Sequence, residues 1–330
     1  MKPRPQCLVL LLLFCAGLHQ AVAAQQTAIF NSIQKLTNSE TLLTLTATNT
    51  NGLRYRIEAA TNVQNWNSLL TLQSTGVNRH ADSAAPYLAS RYYRAIEVPA
   101  SAVTGDHLLT TNGEVIIHPM FHATVFMTWN DIAIYNDPDD NSSYLGTYIG
   151  LPQADLVLVS HDHGDHMSAT QVQAIRKATT VIIAPPAVYN NSSWSALRTI
   201  TTVLTNGMST NVWGLTVEAV PSYNTNNNNH PRGAYNGYVV TMGGKRVYFA
   251  GDTSNIPEMR ALPNIDVAFI PMNLPFTMGV SDAVNAVRAF RPKVVYPYHY
   301  QPSTPPADVN LFKRLVGTDL GIEVRLRKIY

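Results

Sequence analysis

Three imidazoles and two carboxylates fall within six positions at His161-Asp162-His163-Gly164-Asp165-His166, one residue after the apolar run Leu156-Val157-Leu158-Val159. Nitrogen and oxygen donors of these types suit borderline divalent metals such as zinc, and three histidines so close together point to metal ligation rather than packing. Donor-type residues also follow other apolar runs: Asn224 and His230 after Val220, Asp252 after Phe249-Ala250, and His299 after Val295-Tyr296-Pro297-Tyr298. In a layered α/β fold the loops leaving the strands gather at one sheet edge, so ligand-type residues at four strand ends are expected to meet in one site. Both cysteines, Cys7 and Cys15, lie near the N-terminus. If that segment is removed, a metal must be held by His, Asp, Glu, Asn or backbone oxygen, which excludes thiolate zinc-finger chemistry.

The elements that would position these donors are read from periodicity. The 330 residues are 45% hydrophobic and only 13% charged, which is enough for a sizeable core in one large or two ordinary domains. The net charge of +2 is not gathered into a long basic run, so neither nucleic acid nor an anionic membrane is indicated as a partner. Lys2 and Arg4, the apolar stretch Cys7 to Leu18 and the small residues Ala21-Val22-Ala23-Ala24 read as a signal peptide over residues 1–24, hence a secreted or periplasmic protein. The apolar stretch is short of the ~20 residues of a spanning helix, a retained anchor being the alternative; no membrane span is expected in the mature chain.

Residues 25–99 alternate at period two around Leu42 to Thr48, Leu53 to Glu58 and Tyr92 to Ile96, with Asn/Gly/Ser turns between. A small antiparallel β domain is expected there, with Trp66 capping its core or, if exposed, offering a carbohydrate platform. Its Tyr-Arg-Ile-Glu-Ala, Trp and Tyr-Tyr-Arg-Ala pattern resembles short β modules found in front of secreted bacterial enzymes. A linker at 100–104 leads to a mixed α/β domain over 105–330. Helices are expected at Ser168 to Lys177, Ser281 to Phe290 and Ala307 to Val316, and a strand around Met120 to Met127.

His161-x-His163-x-Asp165-His166, followed by Gly251-Asp252-Thr253 and the late His299, resembles the metal-binding signature of the metallo-β-lactamase fold superfamily. Val220 to Asn224, His230 to Gly233, Ile256 to Met259 and Thr277-Met278 further resemble its broad branch of metal-dependent hydrolases, related to ascorbate-lactonase-like and phospholipase-D-like members. The resemblance spans about Gly105 to Tyr330. It implies a four-layer αββα sandwich preceded by the small all-β domain, and a pair of divalent metals, zinc first, with iron or manganese as alternatives. It also implies that His161 and His163 hold one metal, that Asp165, His166 and His299 hold the other, and that Asp252 bridges them. A carboxylate can divide its oxygens between two metals, which an imidazole cannot. The first metal's third ligand departs from the pattern, because Asn224 stands where a histidine is usual; His230, six residues on, is either that ligand or a substrate contact.

The expected function is hydrolysis of an ester, lactone or phosphodiester in a small-molecule or lipid-derived substrate by a metal-activated water, with Asp165 and His166 as the catalytic pair. The alternative is a secreted binding or adhesion protein with a vestigial metal site. Tyr223, Arg232 and Met278 are candidate substrate contacts, although Tyr223 and Met278 also suit packing. His122 is read as a core histidine or as one orienting a ligand. Asp162 alternates away from the metals, Glu258 caps or salt-bridges, and the Asn224 to Gly233 segment suggests a mobile lid.

Overall fold

The computed structural model describes residues 28–47, 54–73, 76–140, 148–301 and 305–327; the expected signal peptide and both cysteines lie outside them. The chain divides into two compact units at Leu109/Thr110, several residues beyond the expected 100–104 linker. The difference has a local cause: strand Gly105–Leu109, expected to open the second domain, pairs Gly105 and Asp106 with Thr71 and Leu70 of the first unit.

That first unit comprises β1 (Ala28–Lys35), β2 (Thr41–Ala47), β3 (Arg54–Ala60), β4 (Asn67–Gln73), β5 (Gly76–Asp82), β6 (Tyr92–Val98) and β7 (Gly105–Leu109). Its strands pair antiparallel in the orders β1-β2-β5 and β7-β4-β3-β6. Period-two alternation buries Leu43 and Leu45 from β2 with Tyr55, Ile57 and Ala59 from β3 and Tyr93 from β6. Trp66 is absent from this core. It is half-buried, with the Arg94 guanidinium 4.5 Å above its ring, and Arg94 is in turn bonded to Glu58.

The second unit holds two sheets. One runs β13-β12-β11-β10-β9-β8, from β8 (Glu114–Phe121), β9 (Thr124–Trp129), β10 (Ile132–Asn136), β11 (Ala154–Leu158), β12 (Arg176–Ala184) and β13 (Thr201–Val203). The other runs in chain order through β14 (Ser209–Val212), β15 (Leu215–Ser222), β16 (Tyr235–Met242), β17 (Lys245–Phe249), β18 (Val267–Pro271), β19 (Val294–Tyr298) and β20 (Glu323–Val324). Phe249, Phe269 and Tyr296 stack on one face of the second sheet at 5.0 and 4.9 Å, and the Tyr238 hydroxyl donates to Val159 O across to the first sheet. On its other face Val239, Tyr248, Ile270 and Val295 pack against helices α3 (Pro257–Arg260), α4 (Val280–Phe290) and α5 (Val309–Val316). Helices α1 (Ala169–Ile175) and α2 (Pro186–Asn190) and a 3-10 segment at Ser192–Ile200 bury Val172, Val188 and Trp194 beside β12 and β13. The result is the expected α/β sandwich with an additional all-β region before it.

Strands β10 to β13 are mutually parallel, as are β17 to β20, so the carboxyl ends of each set open at one edge. The strand expected around Met120 to Met127 is instead two strands, because the chain turns at His122-Ala123 with His122 in the left-handed region at φ 50°. Asn136 Nδ2 donates to Ala123 O, tying that hairpin turn to the end of β10.

Candidate metal centre

Every donor singled out in the sequence except Asn224 arrives in one cluster, each from a strand end or loop. His161, His163 and His230 present donor atoms within 4.8 Å of one another; so do His122, Asp165, His166 and His299, and so do His161, His166 and Asp252. Asp252 stands between the two halves and divides its oxygens. Its Oδ1 lies 3.3 Å from both His166 Nε2 and His299 Nε2, while Oδ2 lies 3.3 Å from His230 Nε2. The carboxylate reaches this position because Gly251 turns the chain at φ 64°, where a Cβ would meet Ser222 Oγ at 3.0 Å and Asn236 O at 3.1 Å. Tyr298 holds the same turn by accepting the Gly251 N–H at 2.8 Å, which is its observed role.

The residues behind the donors set which ring nitrogen faces the site. Asp137, at the end of β10, accepts from Ser160 N, Ser160 Oγ and His166 Nδ1 at 2.7, 2.8 and 2.9 Å. The proton on His166 is therefore on Nδ1. Ser160 has one hydroxyl proton and directs it to Asp137, so its oxygen accepts from His161 Nδ1 at 2.9 Å. Asn224 donates through Nδ2 to Phe276 O at 3.0 Å, which leaves Oδ1 to accept from His230 Nδ1 at 2.7 Å. In all three rings the far-side bond at Nδ1 turns Nε2 towards the cluster. Asn224 and His230 thus do not compete for one place: the histidine faces the cluster, and the asparagine, expected as an alternative ligand, stands behind it.

Four buried imidazole nitrogens, Nε2 of His161, His166, His230 and His299, have no hydrogen-bond partner, and neither has Asp252 Oδ1. A buried polar atom left unsatisfied costs about 1–3 kcal/mol, so five of them converging in one place is a donor set shaped for cations. The histidines do not all titrate alike. Burial keeps His161 well below the usual imidazole range and brings His230 and His122 down to about 4. Burial would raise the Asp252 carboxyl, but His299 and His166 outweigh it, and His122 and His299 do the same for Asp165; both carboxyls lie well below their ordinary range. His166 moves the other way: Asp252 and Asp137 outweigh its burial and raise it well above the usual imidazole range, so a cation bound at its Nε2 would displace a proton, as metal binding at protonated ligands does.

Other candidate residues fall elsewhere. Met278 is buried in the apolar cluster under α3 and α4, so it fills core and does not line a substrate wall. Tyr223 is buried and donates to Glu258 at 3.0 Å, while Arg232 pairs with the same carboxylate at 2.9 Å and lies 5.1 Å over the Tyr223 ring. Glu258 salt-bridges as expected, and the Arg232 charge is matched. The Asn224 to Gly233 segment is tied down by Asn227 to Pro275 O and by Asn224 N to His230 O, so it serves as the mount of His230. Sequence reading did not single out Asp137, Ser160 or Tyr235, whose ring lies 5.0 Å from that of His161. The signal for Asp137 was present: a carboxylate two positions after the apolar run Ile132 to Tyr135, at the same sheet edge as His161.

Residues 117–299, from β8 through the last histidine, match the family model described as beta-lactamase superfamily domain. The chain belongs to the metallo-β-lactamase superfamily, and with it to the metal-dependent hydrolases. Among its relatives is the UPF0173 metal-dependent hydrolase of Pyrococcus abyssi, 36% identical over 174 residues that cover 49% of this chain and 74% of the relative. The corresponding Thermus thermophilus protein is 32% identical over 191 residues, covering 56% and 83%. A crystal structure of a candidate metal-dependent hydrolase from Parabacteroides distasonis superposes with a TM-score of 0.61 at 38% identity, covering 68% of this chain and 99% of that one.

Proposed function

We propose that the chain acts as a dinuclear metal-dependent hydrolase. The observation that carries this reading is Asp252, whose two oxygens face opposite halves of a cluster of unsatisfied imidazole nitrogens. His161, His163 and His230 would hold one divalent metal, Asp165, His166 and His299 the other, with Asp252 shared; the all nitrogen and oxygen set suits zinc, and also iron or manganese. Bound divalent metals lower the pKa of water and polarise the bond to be cleaved. The chain's part is to hold the donors in register through Asp137, Ser160 and Asn224, so that little reorganisation accompanies the reaction. Asp165, with 44% of its side chain exposed against 4% for Asp252, is the carboxylate placed to orient an incoming water.

The candidate bonds are an ester, a lactone or a phosphodiester, for any of which two metals would polarise the bond. The charge that a phosphodiester carries on its non-bridging oxygens would fall to the metals, since Arg232, the basic residue nearest His230 in sequence, pairs with Glu258. The composition of residues 1–24 further supports an exported protein with a small-molecule or lipid-derived substrate; mass spectrometry of the mature N-terminus after expression in a secreting host tests that part. Among the described residues no helix is long and apolar enough to cross a membrane. Metal content together with a screen of generic esters, lactones and phosphodiesters tests the reaction, on the wild type, His163→Ala and Asp252→Ala. Two metals per wild-type chain and loss of activity in both variants are expected. Activity intact in both variants would falsify the assignment.

A further inference from the structure

The cluster contains a fifth buried histidine that differs from the other four. His122 Nε2 lies 3.0 Å from Asp165 Oδ2, in hydrogen-bond geometry, and is engaged where Nε2 of His161, His166, His230 and His299 is not. The Asp165 carboxylate accepts, so the His122 proton is on Nε2 and that nitrogen offers no lone pair to a metal. His122 also reaches the last histidine twice: its carbonyl accepts the His299 N–H at 3.1 Å, and the two rings lie 3.8 Å apart. Asp165 comes from the loop after β11 and His299 from the end of β19, in different sheets, and His122 touches both.

We propose that His122 is a positioning residue for the second metal alone, a clamp that fixes Asp165 through its ring and His299 through its backbone. The inference rests on the dinuclear reading above. Asp165 is the donor that most needs such a clamp, because its side chain is 44% exposed while those of His166 and His299 are 0% and 2% exposed. The clamp itself is stiff. His122 is buried, sits in a two-residue hairpin turn in a left-handed conformation, and its neighbour Ala123 is anchored by Asn136. A residue held so firmly in a sparsely populated backbone region marks a position over-determined by its surroundings. The first metal's donors His161 and His230 are held by Ser160 and Asn224, so loss of His122 leaves them in place.

The test is a Zn2+ titration of the chelator-stripped full chain against a chromophoric competitor, which reads two affinity classes independently of any substrate. Wild type, His122→Ala, His122→Asn and His122→Gln are compared. Asparagine tolerates the left-handed backbone but is too short to reach Asp165; glutamine restores a donor at about the reach of Nε2. Weakening of the second class by about 10–100-fold is expected in the alanine and asparagine variants, the usual effect of removing an outer partner of a ligand. The first class should stay within about threefold, and glutamine should recover most of the loss. Two unchanged classes in His122→Ala and His122→Asn overturn the clamp but leave the dinuclear reading standing, and an equal fall of both classes shows a general structural role and also overturns it. A single zinc per wild-type chain refutes the dinuclear reading, and the clamp falls with it.

Discussion

Replacing Asp137 by asparagine changes one oxygen to an NH2 group at a fully buried position and should disable both halves of the metal centre at once. Asp137 Oδ1 accepts the Ser160 N–H, so the new amide nitrogen would take the place of Oδ2, facing Ser160 Oγ at 2.8 Å and His166 Nδ1 at 2.9 Å. A donor there reverses the chain of protons. His166 Nδ1 must become an acceptor, which moves its proton to Nε2, towards Asp252. The Ser160 hydroxyl, now accepting from the amide, turns its proton to His161 Nδ1, and that ring is driven to the Nε2–H form as well. Loss of one outer partner typically costs about 10–100-fold in metal affinity, so one loss at each half implies about 10²–10⁴-fold for full loading, on the order of 3–6 kcal/mol. Isosteric shape and an unchanged circular dichroism spectrum would separate this from unfolding. The assay is metal retained after dialysis against graded chelator, followed by Zn2+ titration. Two metals bound by Asp137→Asn with affinities within threefold of wild type would refute the assigned proton positions.

Three further outcomes are expected. Asn224→Ala removes the acceptor that orients His230 and should weaken the first metal by about 10–100-fold in the same titration, while Asn224→Asp, which keeps an acceptor, should lose less. Asp266 is buried, accepts from Arg246 N and Lys293 Nζ at 3.0 and 2.8 Å, and has its carboxyl held below the usual range, those partners outweighing burial. Its folded pKa is depressed, so its stabilisation is present above the unfolded value of about 4 and fades as pH falls through the folded one. Asp266→Asn should therefore cost about 1–2 kcal/mol in urea unfolding at pH 7 and progressively less below pH 4; an equal cost at pH 7 and pH 2.5 would contradict this. Phe269, fully buried between Phe249 and Tyr296, should lose about 3–5 kcal/mol as Phe269→Ala by thermal or denaturant melting, with a value under 1 kcal/mol excluding its place in the core.

Much of the fold was legible because local and tertiary demands coincide. Asp308 accepts from Leu311 N at the start of α5, and helix α4 ends at Phe290, where its amphipathic pattern stops. Legibility failed where a contact from elsewhere decided the outcome. The apolar stretch Met120 to Met127 reads as one strand, yet the hairpin at His122 splits it, held by an asparagine from β10. Gly105 to Leu109 sits beside the linker in sequence but bonds to β4. Trp66 has the composition of a core residue and lies under an arginine supplied by β6.

For the metal centre, the sequence alone determined which atoms are available. The spacing His161 to His166 after a buried strand, with Asp252 and His299 after two others, is a property of residue type and alternation, and strand ends at one sheet edge bring such residues together whatever the rest of the chain does. Only the tertiary structure decided which of those atoms face the cluster. That depends on the hydrogen bond made at the far side of each ring, and the partners Asp137, Asn224 and Asp165 are separated from His166, His230 and His122 by 29, 6 and 43 positions. Donor identity is local; orientation is set by partners that lie from one to 43 positions away. His122 and His166 are alike as letters in the sequence, and are told apart by the carboxylates that fold against them, Asp165 at Nε2 of one and Asp137 at Nδ1 of the other.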